Sequence, residues 1–250
     1  VRAASRRAPS SRNGNSDLKY NFDWSVVLTG EYHQWLVDGF WLTLKISAIS
    51  IVLAMALGTL VAVLRMTKVK ACVWFSLAFT EFFRNTPLLV QIYFWYFGSF
   101  VLLPEAVNKW LYKQDFEFAS GVIALTVYTA AFIAEEIRAG IFAIPKNQLE
   151  ASRATGLSFI QAYRYVILPQ AFRIIIPPLI SQFLNLIKNS SLVMTIGVMD
   201  LTYMARQIES HTFRGFEAFT AATAIYICIS LVVSLTINVY NKHFLRQIKY

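Results

Sequence analysis

The chain has 250 residues and is 56% hydrophobic, only 15% charged, with a net charge of +9. Soluble domains carry about 25% charged residues; a mean hydropathy of +0.49, with the apolar residues gathered in long runs, excludes an ordinary soluble domain and points to a membrane. The cations fall mostly between those runs, where they meet a cytoplasmic loop or anionic headgroups, and no RNA-binding or helix-turn-helix signature argues for nucleic acid.

Residues 1–35 read as an N-terminal arm. The first 19 or so are polar and basic, rich in Ser, Arg and Asn, and are expected to be disordered. Arg6-Arg7 is not followed closely by an apolar stretch, so no cleaved signal is expected. Trp24, Tyr32 and Trp35 suit a membrane interface.

About five apolar segments follow, at roughly 37–64, 71–97, 119–141, 172–196 and 218–240. Each has the length to cross a hydrocarbon core of about 30 Å as a helix. The second is interrupted by Glu81, Arg84, Asn85 and Pro87, and the fourth contains Pro177-Pro178, a bend and a candidate hinge. The predicted fold class is therefore an all-α membrane protein of about five transmembrane helices.

Positive charge in short loops sets orientation. Arg65, Lys68 and Lys70 follow the first segment; Lys146, Arg153, Arg164 and Arg173 lie between the third and fourth; Lys242, Arg246 and Lys249 follow the fifth. The other loops hold only Lys109, Lys113, Arg206 and Arg214. The expectation is an N-terminus outside and a C-terminus in the cytoplasm, although the distant arginines of the arm run against it.

The connection 142–171 is not a random loop. Pro145 suits the first turn of a helix and Gly156 its end, with KNQLEASRAT a good helix former between them. Ser158 with Gln161 predicts a capping box opening a second short helix, and Pro169 predicts a boundary before the next span. A rigid knob of this kind can pass a partner's movement into the membrane; by its residues alone it is equally an amphipathic loop on the bilayer surface.

The stretch EASRATGLSFIQAYRYVILP at 150–169 resembles the cytoplasmic motif of binding-protein-dependent ABC importer permeases. That motif runs Glu-Ala-Ala, three residues, Gly, nine residues, Ile-x-Leu-Pro. Glu150, Ala151, Gly156, Leu168 and Pro169 match; Ser152 and Val166 are mild departures. EFFRNTPLLVQIYFWY (81–96), AAFIAEEIRAGI (130–141) and LIKNSSLVMTIG (186–197) are similar to the polar amino-acid branch, most of all its glutamate/aspartate permeases. The resemblance spans about 36–246 and implies a type I ABC importer transmembrane domain with coupling helices at about 145–168. It implies that Glu150, Ala151, Ser152, Arg153 and Gly156 contact an ATPase subunit, a role of partner contact and not catalysis. It also implies a dimer of ATP-binding cassette subunits carrying ATP and Mg, a second permease chain, identical or related, a periplasmic or extracellular amino-acid-binding protein, and a bacterial inner-membrane location. Glutamine, arginine and histidine are the alternative substrates.

Charges at mid-bilayer are costly and must be paired, hydrated or near a membrane face. Glu81 and Arg84 stand three apart on one helical face and are expected to pair. For a zwitterionic substrate, Arg84 offers a carboxylate fork, Asn85, Thr86 and Gln91 neutral hydrogen bonds, and Lys188 with Asn189 a second polar patch. Inter-subunit glue and snorkelling are the plainer readings of the same residues. Glu81 and Glu135 would be ion sites if the chain were instead an ion-coupled secondary transporter.

A membrane-embedded enzyme is disfavoured. There is no GxxxxGK[ST] loop and no GxSxG elbow, and His33, His211 and His243 are too scattered to hold a metal. Cys72 and Cys228 read as small apolar side chains.

Overall fold

The computed structural model describes residues 20–102, 104–113 and 115–240. The disorder expected of residues 1–19, and the cations Lys242, Arg246 and Lys249, lie outside these. Among the described residues the chain is helical throughout, without strands: α1 (Ser25–Leu28), α2 (Gly30–Met66), α3 (Lys70–Asn85), α4 (Leu88–Leu102), α5 (Glu105–Lys113), α6 (Phe116–Phe142), α7 (Lys146–Ala154), α8 (Phe159–Ala162), α9 (Leu168–Asn189), α10 (Leu201–Thr212) and α11 (Gly215–Tyr240). A π-helical turn (Tyr163–Ile167) joins α8 to α9, and a 3₁₀ segment (Ser190–Ile196) extends α9.

Among the described residues four helical stretches are long and apolar enough to cross a membrane: Gly30–Met66, Phe116–Phe142, Phe159–Ile196 and Gly215–Leu235. The second expected crossing is not a single helix. Pro87 has no N–H and restricts the residue before it, so Thr86 turns extended (φ −104°, ψ 136°) and α3 ends. The segment is instead two helices, α3 of 16 residues and α4 of 15. Gln91 binds the break together, its amide donating to the carbonyls of Phe83 (2.9 Å) and Thr86 (3.1 Å).

The boundary expected at Pro169 is also absent. The helix entering at Phe159 runs on through Pro169, Pro177 and Pro178 to Ile196. The π turn explains the first of these: Leu168 N–H reaches back to the Tyr163 carbonyl, so the register has widened just where a proline ring would meet the preceding turn.

Helix α6 is the hub. Of its most apolar stretch 61% is buried, against 17% for that of α11. It packs along α2 through small residues. At Gly58 an added Cβ would stand 2.7 Å from Ile133 Cγ2, and at Gly140 one would stand 2.2 Å from Ile175 Cγ1 of α9. Close backbone approach through small residues is how helices pack where no water drives them together. The cluster of Ile46, Leu88, Ile92, Leu125, Val193 and Ile196 ties α2, α4, α6 and the 3₁₀ segment at the end opposite α7.

At that opposite end the chain is folded from Tyr20 onward, earlier than the arm of 1–35 suggests. Val27 and Leu36 pack on Leu201, Ala205, Ile208 and Ala218 of α10 and α11. Glu217, wholly buried in the first turn of α11, accepts from the Tyr20 hydroxyl and from the Asp23 amide (2.9 Å). Asp200, also wholly buried, caps α10 through the Tyr203 amide (2.9 Å) and accepts from the Tyr226 hydroxyl (3.1 Å).

Candidate functional site

The 142–171 connection is built from the capping signals in the sequence. Pro145 (φ −58°, ψ 137°) precedes the first turn of α7, and α7 ends before Gly156, whose φ of +89° lies in the left-handed region that glycine enters freely. An added Cβ there would meet nothing, so the requirement is backbone conformation and not space. The capping box forms: Gln161 N–H donates to Ser158 Oγ (3.3 Å) and Ser158 N–H to Gln161 Oε1 (2.8 Å). The box fixes where α8 starts, and α8 runs through the π turn into the fourth crossing.

This knob sits under the ends of three crossings. A cavity of about 360 Å³ between them is lined by Met66 of α2, Phe142 of α6, Leu149 and Glu150 of α7, Tyr163 and Ile167. Glu150, Ala151, Arg153 and Gly156 are exposed, as a docking surface requires. Ser152 is not: it is buried, and its hydroxyl donates to the Leu149 carbonyl (2.7 Å), so it holds α7 and presents nothing to a partner. Arg153 is partly spent inside the loop, its guanidinium donating to the Leu157 carbonyl (3.1 Å). Phe159 and Ile160, 57% and 77% exposed at the knob's tip, were not singled out by sequence. Together with Phe142 and Tyr165, also exposed, they give the connection an apolar surface suited to contact; the signal lay in an apolar pair placed directly after the capping serine.

The structure separates the second group of expected site residues. Arg84 and Asn85 are exposed at the α3–α4 break, while Thr86 is half-buried and its hydroxyl donates to the Phe82 carbonyl. The expected Glu81–Arg84 pair does not form. Glu81 accepts from Asn85 (3.1 Å), and the Arg84 guanidinium lies over the Phe132 ring, 5.4 Å from its centroid. Gln91 is buried and turned to the backbone, because the carbonyls freed by Pro87 need its donors. Lys188 is exposed and Asn189 half-buried at the junction of α9 and the 3₁₀ segment, three to eight residues from Leu192, Val193 and Ile196, which pack in the cluster that holds Leu88. Both junctions thus flank one apolar cluster.

A wider cavity of about 740 Å³ opens at the far end, lined by Tyr96, Asp115, Glu117, Gly197 and Met199 among others. Among the described residues no group of three or more His, Cys, Asp or Glu stands close enough to hold a metal ion.

Comparison with known proteins accounts for this arrangement. Residues 54–250 match the family described as "Binding-protein-dependent transport system inner membrane component". The probable glutamine ABC transporter permease protein GlnM of Bacillus subtilis (strain 168) is 42% identical over 206 residues, covering 82% of this chain and 91% of its own. The glutamate/aspartate import permease protein GltJ of Escherichia coli (strain K12) is 32% identical over 236 residues, covering 90% and 96%. A solved structure described as an amino acid ABC transporter with histidines superposes with a TM-score of 0.80 at 32% identity, covering 90% of this chain and 100% of that one. The chain belongs to the binding-protein-dependent transport system inner membrane components: it is a multi-pass permease subunit of an ABC importer, a transport component and not an enzyme.

Proposed function

We propose that this permease carries polar amino acids and is driven by a separate ATPase through the knob at 145–168. The observation that carries the reading is the knob's construction. It has an exposed face bearing Glu150 and Ala151 and an exposed apolar pair, Phe159 and Ile160, and it is helically continuous with the crossing that starts at Phe159. A partner that displaces such a knob displaces the transmembrane bundle with it. ATP and Mg belong to that partner, a dimer of ATP-binding cassette subunits.

Few crossings make a whole pathway in one chain. A second permease chain, identical or related, completes the path, and a soluble binding protein delivers substrate from outside. Closure of the ATPase pair draws the two knobs together and opens the outer side. The N-terminus is outside, since the knob, with its basic neighbours, faces the cytoplasm. Arg84, Asn85, Lys188 and the half-buried Asn189 sit at irregular junctions, where polar groups await either substrate or the second chain.

For the substrate, the motifs at 81–96 and 186–197 favour glutamate and aspartate, while the 42% identity to a probable glutamine permease favours glutamine. Reconstitution with the ATPase separates them: binding proteins loaded with glutamate, glutamine, arginine or histidine are tested for ATPase stimulation. One amino-acid-loaded partner is expected to stimulate; stimulation only by a sugar- or peptide-loaded partner would sink the amino-acid assignment. Glu150→Arg or Gly156→Asp is expected to abolish ATP-dependent uptake, and unaltered uptake and ATPase binding in both would overturn the coupling role.

A further inference from the structure

The stretch AAFIAEEIRAGI contains charges that neither the knob nor the path residues use. Glu135 stands seven residues before the end of α6, roughly 10 Å along the axis from the knob. Its carboxylate meets two guanidinium groups. Arg138, one turn later, donates Nε–H to Oε2 (2.9 Å) and Nη2–H to Oε1. Arg65, in the last turn of α2, brings Nη1 to 3.4 Å from Oε2 and also donates to Thr80 Oγ1 of α3 (3.0 Å). One carboxylate therefore joins three helices. The Arg65 and Glu135 side chains are 18% and 22% exposed, a setting dry enough to strengthen charged hydrogen bonds.

Other contacts fix the same three helices. Ser76 Oγ of α3 donates to the Val61 carbonyl of α2 (2.9 Å), and Gly58 leaves α2 no room to move toward Ile133 of α6. The block connects in both directions. Arg138 lies over the Phe142 ring (5.5 Å), and Phe142 and Met66, the residue after Arg65, line the cavity above the knob. Beyond Thr80, α3 leads to Arg84 and the break at Pro87. α9 packs on α6 through apolar side chains, Ile175 and Leu179 against Ala130 and Ile133, with Gln182 donating to Glu136 (3.5 Å); it follows the π turn and carries three prolines.

We infer that Glu135 is a positioning residue of the transport cycle. By holding Arg65 and Arg138 it makes the knob-side halves of α2, α3 and α6 one lever. A displacement of the knob then reaches the α3–α4 break instead of being lost in bending. Neutralising Glu135 leaves two guanidinium groups with no carboxylate between them, and the lever comes apart at its hinge. The inference rests on the coupling role proposed above.

The test uses the reconstituted complex with its ATPase and with glutamine- and glutamate-loaded binding proteins. Glu135→Gln is expected to keep ATPase co-purification and basal hydrolysis but to lower substrate moved per ATP by about tenfold, an ordinary coupling free energy. Arg65→Gln should reproduce the loss, Arg65→Lys should restore most of it, and the double variant should be no worse than either single. If Glu135→Gln impairs assembly, Thr80→Val, which removes only the hydroxyl linking Arg65 to α3, should lower transport per ATP in an intact complex. Transport per ATP equal to wild type in Glu135→Gln, or in an intact Thr80→Val complex, overturns the inference, as does a double variant with additive losses. A wild-type complex that responds to neither loaded protein, or binds no ATPase, overturns the coupling role and the lever together. A responsive wild type with an equally responsive Glu135→Gln removes the lever alone.

Discussion

The two ends of the bundle are both held by acidic side chains, but in opposite ways. At the knob end Glu135 is partly hydrated and answers two arginines. At the far end Glu217 and Asp200 are wholly buried and are held chiefly by hydroxyl and amide donors, with Arg214 Nη1 3.8 Å from Glu217. Coulomb attraction falls off slowly with distance, so an ion cluster keeps its grip while helices shift. A hydrogen bond weakens steeply once its geometry is lost, and a buried acid that loses its donors has no water to replace them. The knob end is built to transmit displacement, and the far end to stay where it is.

Three substitutions sharpen that contrast. The largest effect is expected from Glu217→Ala, which removes the acceptor of both the Tyr20 hydroxyl and the Asp23 amide and releases the segment 20–24 from α11. Thermal unfolding in detergent should fall further than for any variant at the knob, with new proteolysis near residue 20. An unchanged melting temperature would remove the anchor. The second is a pH effect. Burial pushes the Asp200 carboxyl up to about 6, from the usual carboxylate value near 4. Between those values the folded chain holds a proton that the unfolded chain has released. Stability therefore falls as pH rises from about 4 to about 6, by about 3 kcal/mol in all, and is level above. Asp200→Asn keeps an acceptor for the Tyr203 amide, and its unfolding temperature should lose this dependence; a slope identical to wild type would show that another group titrates. The smallest is Ser158→Ala, which breaks the capping box and should cost about 1 kcal/mol. Its uptake should persist, since the helix beyond remains continuous, whereas a complete loss of uptake would make the box part of the coupling contact itself.

Much of the knob was legible because its signals are local. Pro145, Gly156 and the Ser158–Gln161 pair act through backbone groups within a few residues, and each appears where the spacing places it. Proline was read correctly at Pro87, where the helix breaks, but not at Pro169, where the helix continues, and one reason covers both. Its missing N–H ends a helix only where the neighbouring carbonyls find other partners: Gln91 supplies them at Pro87, and a π turn accommodates Pro169. Gln91 stands four places beyond Pro87, and the Tyr163 carbonyl that Leu168 reaches stands six before Pro169. The path residues fared similarly. Glu81 and Arg84 share a helical face, yet Arg84 found an aromatic ring on α6 and Glu81 an amide on its own helix.

The sequence by itself determined that the chain crosses a membrane, that its knob carries the permease motif, where α7 begins and ends and where α8 begins. Apolar run length, motif spacing and capping chemistry are properties of contiguous residues. Only the tertiary structure decided which charges meet. Glu135 reaches Arg65 across 70 positions of chain and Glu217 reaches Tyr20 across 197. Such pairs exist because α6 lies against α2, and because the N-terminal segment folds onto the start of α11. Interhelical distance, which no local pattern encodes, turned one acid into a joint of three helices and the other into an anchor.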